Sequence, residues 1–247
     1  MQKFLEKVPL RFNDVTVTDA GINTDEFLRA AQGVVMLFDE LGSAAFMPVK
    51  SDIEGNINKV RTKFLTNPLQ FDTLEKIIYA EAGTKDRTAT QGLLWLKRGL
   101  DFTAKGIARN IANMSEELSD SFTDAYTKTL KEFHNFIIKG VFSMAMKACP
   151  ARNDFYAKLG GSYNDVVGDL RPWVDALQNL VDKLSDFYRK GSYDKGLAIG
   201  QTNSEMIGNV FGLVWRSAMG KVSPAKMWPS TLTVADNSQN TSYTVEI

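Results

Sequence analysis

The sequence predicts an all-α protein of about eight helices, and three observations carry that prediction. Apolar residues recur at helical spacing in one segment after another between residues 24 and 190. Those segments end at breakers such as Gly42, Gly83, Pro150 and Gly160-Gly161. No stretch alternates with a period of two until the chain's last segment.

Residues 1 to 23, interrupted by Pro9 and Gly21, follow no period and are expected to be irregular. The first helix starts at a cap of Thr24 or Asp25 and runs to about Leu41. Phe27, Ala30, Ala31, Val34, Val35, Phe38 and Leu41 give it a broad apolar face, and Gly42 ends it. The second, about Met47 to Phe64, sets Ile53, Ile57, Val60 and Phe64 on one stripe. A short third spans about Phe71 to Gly83, with Leu74, Ile77, Ile78 and Ala82 inward. The fourth, about Asp86 to Met114, is long and carries Leu93, Leu94, Leu96, Leu100, Ala104, Ile107, Ala108 and Ile111. A fifth is expected to run unbroken from about Ser119 to Ala148, carrying Phe122, Tyr126, Leu130, Phe133, Ile137, Val141, Met144 and Ala148, and Pro150 stops it. Ala151 to Leu159 is a short sixth. Tyr163 to Leu170 and Pro172 to Lys190 read as the last two, because proline is at home in a first helical turn.

These elements make one domain over residues 1–190. From Gly191 to residue 247 the composition shifts to Gly, Ser, Asn and Thr, which marks a C-terminal extension. Within it Met206 to Met219 is apolar enough for one more helix, and Thr231 to Val234 and Thr241 to Ile247 are strand-like.

Composition excludes several functions. Lys plus Arg and Asp plus Glu each number 29, so the chain lacks the basic excess of a nucleic-acid binder. One cysteine, Cys149, and one histidine, His134, permit no internal disulfide and too few soft ligands for an ordinary metal centre. No cofactor motif of the GxGxxG or Walker type occurs, and no serine or cysteine stands in a recognisable nucleophile setting, so no enzyme is expected. The N-terminus lacks an uninterrupted apolar run, and Phe136 to Ala148 is broken by Lys139 and Lys147, so a cytoplasmic protein is expected.

The chemistry concentrates on the second helix. Asp52, Asn56 and Lys59 stand at i, i+4 and i+7, so a carboxylate, an amide and an ammonium line one narrow stripe beside the apolar one. Such a stripe can hold a polyhydroxylated group from three sides.

Three motifs then occur in order. They are Leu41-Gly42-Ser43-Ala44-Ala45-Phe46-Met47-Pro48-Val49-Lys50-Ser51-Asp52 with Gly55-Asn56-Ile57 and Thr66-Asn67-Pro68, next Trp95-Leu96-Lys97-Arg98-Gly99-Leu100, and last Phe133-His134-Asn135-Phe136-Ile137-Ile138. Together, over about residues 25 to 190, they resemble the glycosphingolipid-specific type of the glycolipid transfer protein family. The resemblance implies a two-layer helical sandwich that carries glycosphingolipids between membranes without making or breaking a bond. It implies that Trp95 is a flat plate under the first sugar, with Asp52, Asn56 and Lys59 bonding the sugar's hydroxyls. It also implies that His134 donates to the ceramide amide oxygen while Asp52 accepts from the amide N–H. Phe38, Leu41, Phe46, Pro48, Phe102, Phe142, Ala145 and Phe155 fall on positions that line the family's acyl-chain tunnel.

The pattern also departs from the family. Phe136 stands where a second tryptophan often docks on the membrane, so a weaker, transient membrane contact is expected. Some fifty residues follow Lys190, where family members typically stop after a short tail containing tyrosine; Tyr243-Thr-Val245 is a short match to that tail. Relatives that carry ceramide 1-phosphate have a second arginine where this chain has Leu94, and they lack the sugar plate. Leu94 and Trp95 therefore favour sugar over phosphate. A glycolipid sensor acting through protein partners is the other alternative. Leu37-Phe38-Asp39-Glu40 faintly resembles a motif for endoplasmic-reticulum adaptors, and the chain is expected to act as a monomer.

Overall fold

The computed structural model describes residues 2–197, and the backbone of 231–236 and 241–246. In chain order the elements are α1 (Phe4–Lys7), β1 (Val17–Thr18), β2 (Gly21–Ile22), α2 (Thr24–Leu41), α3 (Met47–Thr66), α4 (Leu74–Glu81) and α5 (Thr88–Ala112). They continue with α6 (Leu118–Lys128), α7 (Phe136–Lys147), α8 (Arg152–Lys158), α9 (Tyr163–Gly191), β3 (Thr231–Asp236) and β4 (Thr241–Glu246).

Helix α5 is the spine of a helical sandwich, packing most extensively on α3, α6 and α9 and also on α4 and α2. Its glycines make this possible. Gly92, Gly99 and Gly106 are buried and seven residues apart, so they share one face. A Cβ on Gly106 would lie 2.6 Å from Phe122 Cδ1, and one on Gly92 would lie 2.9 Å from Lys59 Cβ. The start of α5 is capped from outside the helix. Arg87, at the cap position, makes no side-chain cap bond, and the buried Glu81 carboxylate instead accepts from Thr90 N–H and Thr90 O–H, both at 2.7 Å. Tyr188 on α9 donates to the Thr90 carbonyl at 2.6 Å, tying the last helix to the same turn.

Several expectations need correction. The N-terminal residues are not wholly irregular: α1, a 3-10 turn at Phe12–Asp14 and the β1–β2 hairpin pack Phe4, Phe12 and Ile22 into the core. Phe4 and Phe12 lie 6.1 and 5.1 Å from Trp173. Asn23, rather than Thr24 or Asp25, caps α2 by accepting from Glu26 N–H at 3.0 Å. The third helix is shorter than expected, Leu74–Glu81.

The predicted fifth helix is two. Helix α6 stops at Lys128, a 3-10 turn covers Lys131–Phe133, His134 is extended, and α7 restarts where Asn135 accepts from Ile138 N–H at 3.0 Å. The predicted seventh and eighth helices are one. Pro172 lies inside α9, where Val166, Leu170, Trp173, Val174 and Leu177 form one continuous buried face across it. Its missing N–H would have bonded the carbonyl of Gly168, whose side-chain position has open space around it.

After α9 the chain turns at Ser192, in the left-handed region at φ 52°, and packs on as far as Leu197. The Arg87 guanidinium holds this segment by donating to the carbonyls of Tyr193 and Lys195. The strand-like end forms an antiparallel pair, Thr231 opposite Glu246. The helix expected over Met206 to Met219 lies outside the described residues; among the described residues no helix is long and apolar enough to cross a membrane.

Candidate functional site

Helix α3 presents the polar stripe to α5. Asp52 and Lys59 are half-buried, while Asn56 between them is only 1% exposed. Neither Asn56 Nδ2 nor Oδ1 has a hydrogen-bond partner among the described residues. An amide so placed is costly, because each unpaired buried polar atom forfeits about 1 to 3 kcal/mol. The closeness of α3 to α5 at this point depends on Gly92, over which the Lys59 stem and the Asn56 carbonyl lie.

Trp95 follows Gly92 by one helical turn and is 3% exposed. The His134 ring lies nearly parallel to it, with centroids 6.0 Å apart at 11°. The Arg98 guanidinium sits 4.8 Å from the Trp95 ring centre and 3.6 Å from that of Phe133. Burial lowers the Arg98 pKa, opposed by the nearby charges of Asp194 and Glu132. Lys97 turns away and donates to Ser185 Oγ on α9 at 3.0 Å.

His134 is 5% exposed and is the residue on which the two halves of the site meet. Its Nδ1 is 3.2 Å from the Tyr126 hydroxyl, and its ring is 4.8 Å from that of Phe142. Burial, first, and the charges of Lys139 and Arg98 push the imidazole down to a pKa of about 4. It is therefore neutral near neutral pH, able to donate from one nitrogen and accept at the other.

The expected tunnel positions lie in the hydrophobic core, and one of them, Phe142, touches His134. Phe38, Leu41, Phe46, Pro48, Phe102, Phe142, Ala145 and Phe155 are all buried, on α2, α3, α5, α7, α8 and the turn before α3. Their rings interlock, with Phe102 to Phe142 and Phe38 to Phe46 both at 5.8 Å. Phe142 thus joins the polar end to the apolar interior. On the outside of α7, Phe136 is 57% exposed, and Met144, two turns on, is also exposed. The segment Leu37-Phe38-Asp39-Glu40 lies in α2 with both apolar side chains in the core, so an adaptor could reach it only after that helix unfolded.

Arg98, Phe133, Tyr126 and Gly92 also belong to this arrangement: the first two stand in the motifs and Tyr126 on the apolar face of the predicted fifth helix without an assigned role, and Gly92 carries no sequence signal of its own. Tyr126 and His134 are eight residues apart, which in one unbroken helix places them about 12 Å apart along the axis. Only the break between α6 and α7 brings them together.

The comparisons agree with this geometry. The family model described as glycolipid transfer protein matches residues 22–161. The chain is 47% identical over 184 residues to a glycolipid transfer protein of Aureobasidium melanogenum, covering 74% of this chain and 92% of that one. It spans only 31% of the human pleckstrin homology domain-containing family A member 8, to which it is 39% identical over 161 residues. Among solved structures it is similar to HET-C2, a fungal glycolipid transfer protein, with 44% identity, a TM-score of 0.73, and coverage of 75% of this chain and 96% of that chain. It is also similar to a structure of FAPP2, a protein reported to select simple glycosphingolipids using the same fold. There the identity is 31% and the TM-score 0.70, covering 78% of this chain and 97% of that chain. The helical sandwich, the motifs and the matches lead to one conclusion: the chain belongs to the glycolipid transfer protein family, whose members are lipid transfer proteins and not enzymes.

Proposed function

We propose that this chain lifts a glycosphingolipid from one cytoplasm-facing membrane and delivers it to another, holding the sugar between α3 and the Trp95 ring. The observation that carries the reading is Asn56, a buried amide whose donor and acceptor are both unpaired. A sugar edge offers hydroxyls that donate and accept, and Asp52 and Lys59 on the same stripe add a charged acceptor and a charged donor. The apolar C–H face of the sugar suits an indole.

The ceramide amide has one N–H and one C=O. Asp52 accepts from the first and neutral His134 donates to the second, so a lipid lacking this amide loses both bonds, leaves the buried His134 without an acceptor and binds about one to two decades more weakly. The acyl chains go between the rings of Phe38, Phe46, Phe102, Phe142 and Phe155, which part to admit them. Hiding each methylene from water is worth about 0.8 kcal/mol. Phe136 and Met144 touch the bilayer transiently; with net charge +0 the contact depends little on anionic lipid.

Transfer between vesicles tests this, comparing fluorescent galactosylceramide, lactosylceramide and ceramide 1-phosphate at one protein concentration. Transfer of the two glycosylated lipids and not of the phosphate lipid is expected, and Trp95→Ala or Asp52→Ala should abolish it in a folded protein. Transfer of ceramide 1-phosphate alone would overturn the sugar site. Binding without transfer would mean a sensor rather than a carrier.

A further inference from the structure

We infer that Tyr126 is a positioning residue for the lipid-binding histidine: its hydroxyl donates to His134 Nδ1 and so holds the proton of the imidazole on Nε2, ready for an amide carbonyl. The inference rests on the proposed role of His134.

The geometry leaves this arrangement favoured over its reverse. The 3.2 Å contact with Nδ1 is the one hydrogen bond the Tyr126 hydroxyl makes among the described residues. Tyr126 is buried, and burial raises its pKa, so it keeps its proton. If Nδ1–H donated to the phenol oxygen instead, the hydroxyl proton would be left in the interior with no acceptor. With the hydroxyl donating, both groups are satisfied and the remaining imidazole proton must sit on Nε2.

Neither ring is free to choose another partner. Tyr126 lies stacked on Phe142 at 4.7 Å and 13°, with Phe102 edge-on at 6.5 Å. His134 is held between Trp95 and Phe142. A half-turn of the imidazole would swap Nδ1 for a carbon and lose the bond, so Tyr126 selects ring orientation as well as tautomer.

The test is a long-range proton–nitrogen spectrum of the uniformly nitrogen-15-labelled full chain without lipid, near neutral pH. The chain has one histidine, so both ring-nitrogen signals belong to His134. The expected pattern is a protonated Nε2 and an unprotonated Nδ1, drawn toward averaged values in Tyr126→Phe, which keeps the ring that stacks on Phe142. Galactosylceramide binding should weaken about three- to tenfold in that variant. A protonated Nδ1 in the wild type overturns the inference, and this spectrum decides even if the variant does not fold. An unchanged spectrum in a folded Tyr126→Phe, or an altered spectrum with full lipid affinity, overturns it too. If the spectra behave as expected while the wild type binds no galactosylceramide, the tautomer assignment stands and the proposed function fails.

Discussion

Replacing Asn56 by leucine, which has nearly its shape, should make the ligand-free protein more stable while destroying its function. Asn56 is 1% exposed and both its side-chain polar atoms lack partners. At about 1.5 kcal/mol each, removing two unpaired buried atoms gains about 3 kcal/mol. Fitting methyl groups into a space shaped for an amide takes back about 1 kcal/mol, and the better helix propensity of leucine adds a few tenths. A net gain of about 2 kcal/mol raises Tm by roughly 4 to 8 °C in a domain of this size. Urea unfolding and calorimetry of wild type and Asn56→Leu, both delipidated, measure it, and vesicle transfer of galactosylceramide should fall at least about tenfold. Destabilisation by more than about 1 kcal/mol would refute the reasoning. It would mean that the amide is already satisfied inside the protein and is not kept for a ligand.

Glu81→Ala should cost about 2 to 4 kcal/mol in urea unfolding, because it strips the first turn of α5 of its acceptor and leaves Thr90 N–H and O–H buried and unpaired. Gly92→Ala should reduce transfer about tenfold with little change in Tm. Its Cβ meets Lys59 Cβ at 2.9 Å and displaces the polar stripe relative to Trp95, while overpacking of about 1 to 3 kcal/mol is offset by about 1 kcal/mol of helix propensity. Stability should also fall with acid through His134. Its folded pKa of about 4 lies below the 6.5 of an ordinary histidine, so the unfolded chain takes up the proton first. Stability is then fully present above about pH 6.5 and is lost by about 3 kcal/mol as pH falls to about 4. His134→Gln, compared with wild type across that window, should lack this component; identical pH profiles would contradict it.

The helices were legible wherever a single face is buried along their whole length, as in α2, α3 and α5. The two misplaced boundaries fail for opposite reasons. Between α6 and α7 the apolar spacing continues through Leu130, Phe133 and Ile137 with no glycine or proline, so the local pattern contains no stop. The stop comes from the Asn135 cap and from the burial of the extended His134. At Pro172 the local stop signal is strong, yet the buried face around Trp173 overrides it. That Asp52, Asn56 and Lys59 share one stripe was readable from their spacing, because one helix carries them, but spacing did not tell it from an ordinary solvated face. Trp95 and His134 were singled out only through motifs; the contact of Tyr126 with His134 was hidden because it depends on the break after α6, and that of Gly92 with Lys59 because it joins two separate helices.

The break after α6 is also where local preference yields to the site. Carrying the helix through residues 129–135 would bury the same apolar side chains with more backbone hydrogen bonds made within one helix. It would also point His134 along a helix face, out of reach of Tyr126, instead of between Trp95 and Phe142. The same site keeps an unpaired amide at Asn56, which costs stability in the absence of lipid, and a buried imidazole, which costs stability as pH falls. Conflicts between local rules and the global fold gather where a protein must bind something. In this chain they gather within reach of one tryptophan, while the Glu81 clamp, the Trp173 cluster and the interlocked helices α3, α5 and α9 supply the stability that lets them persist.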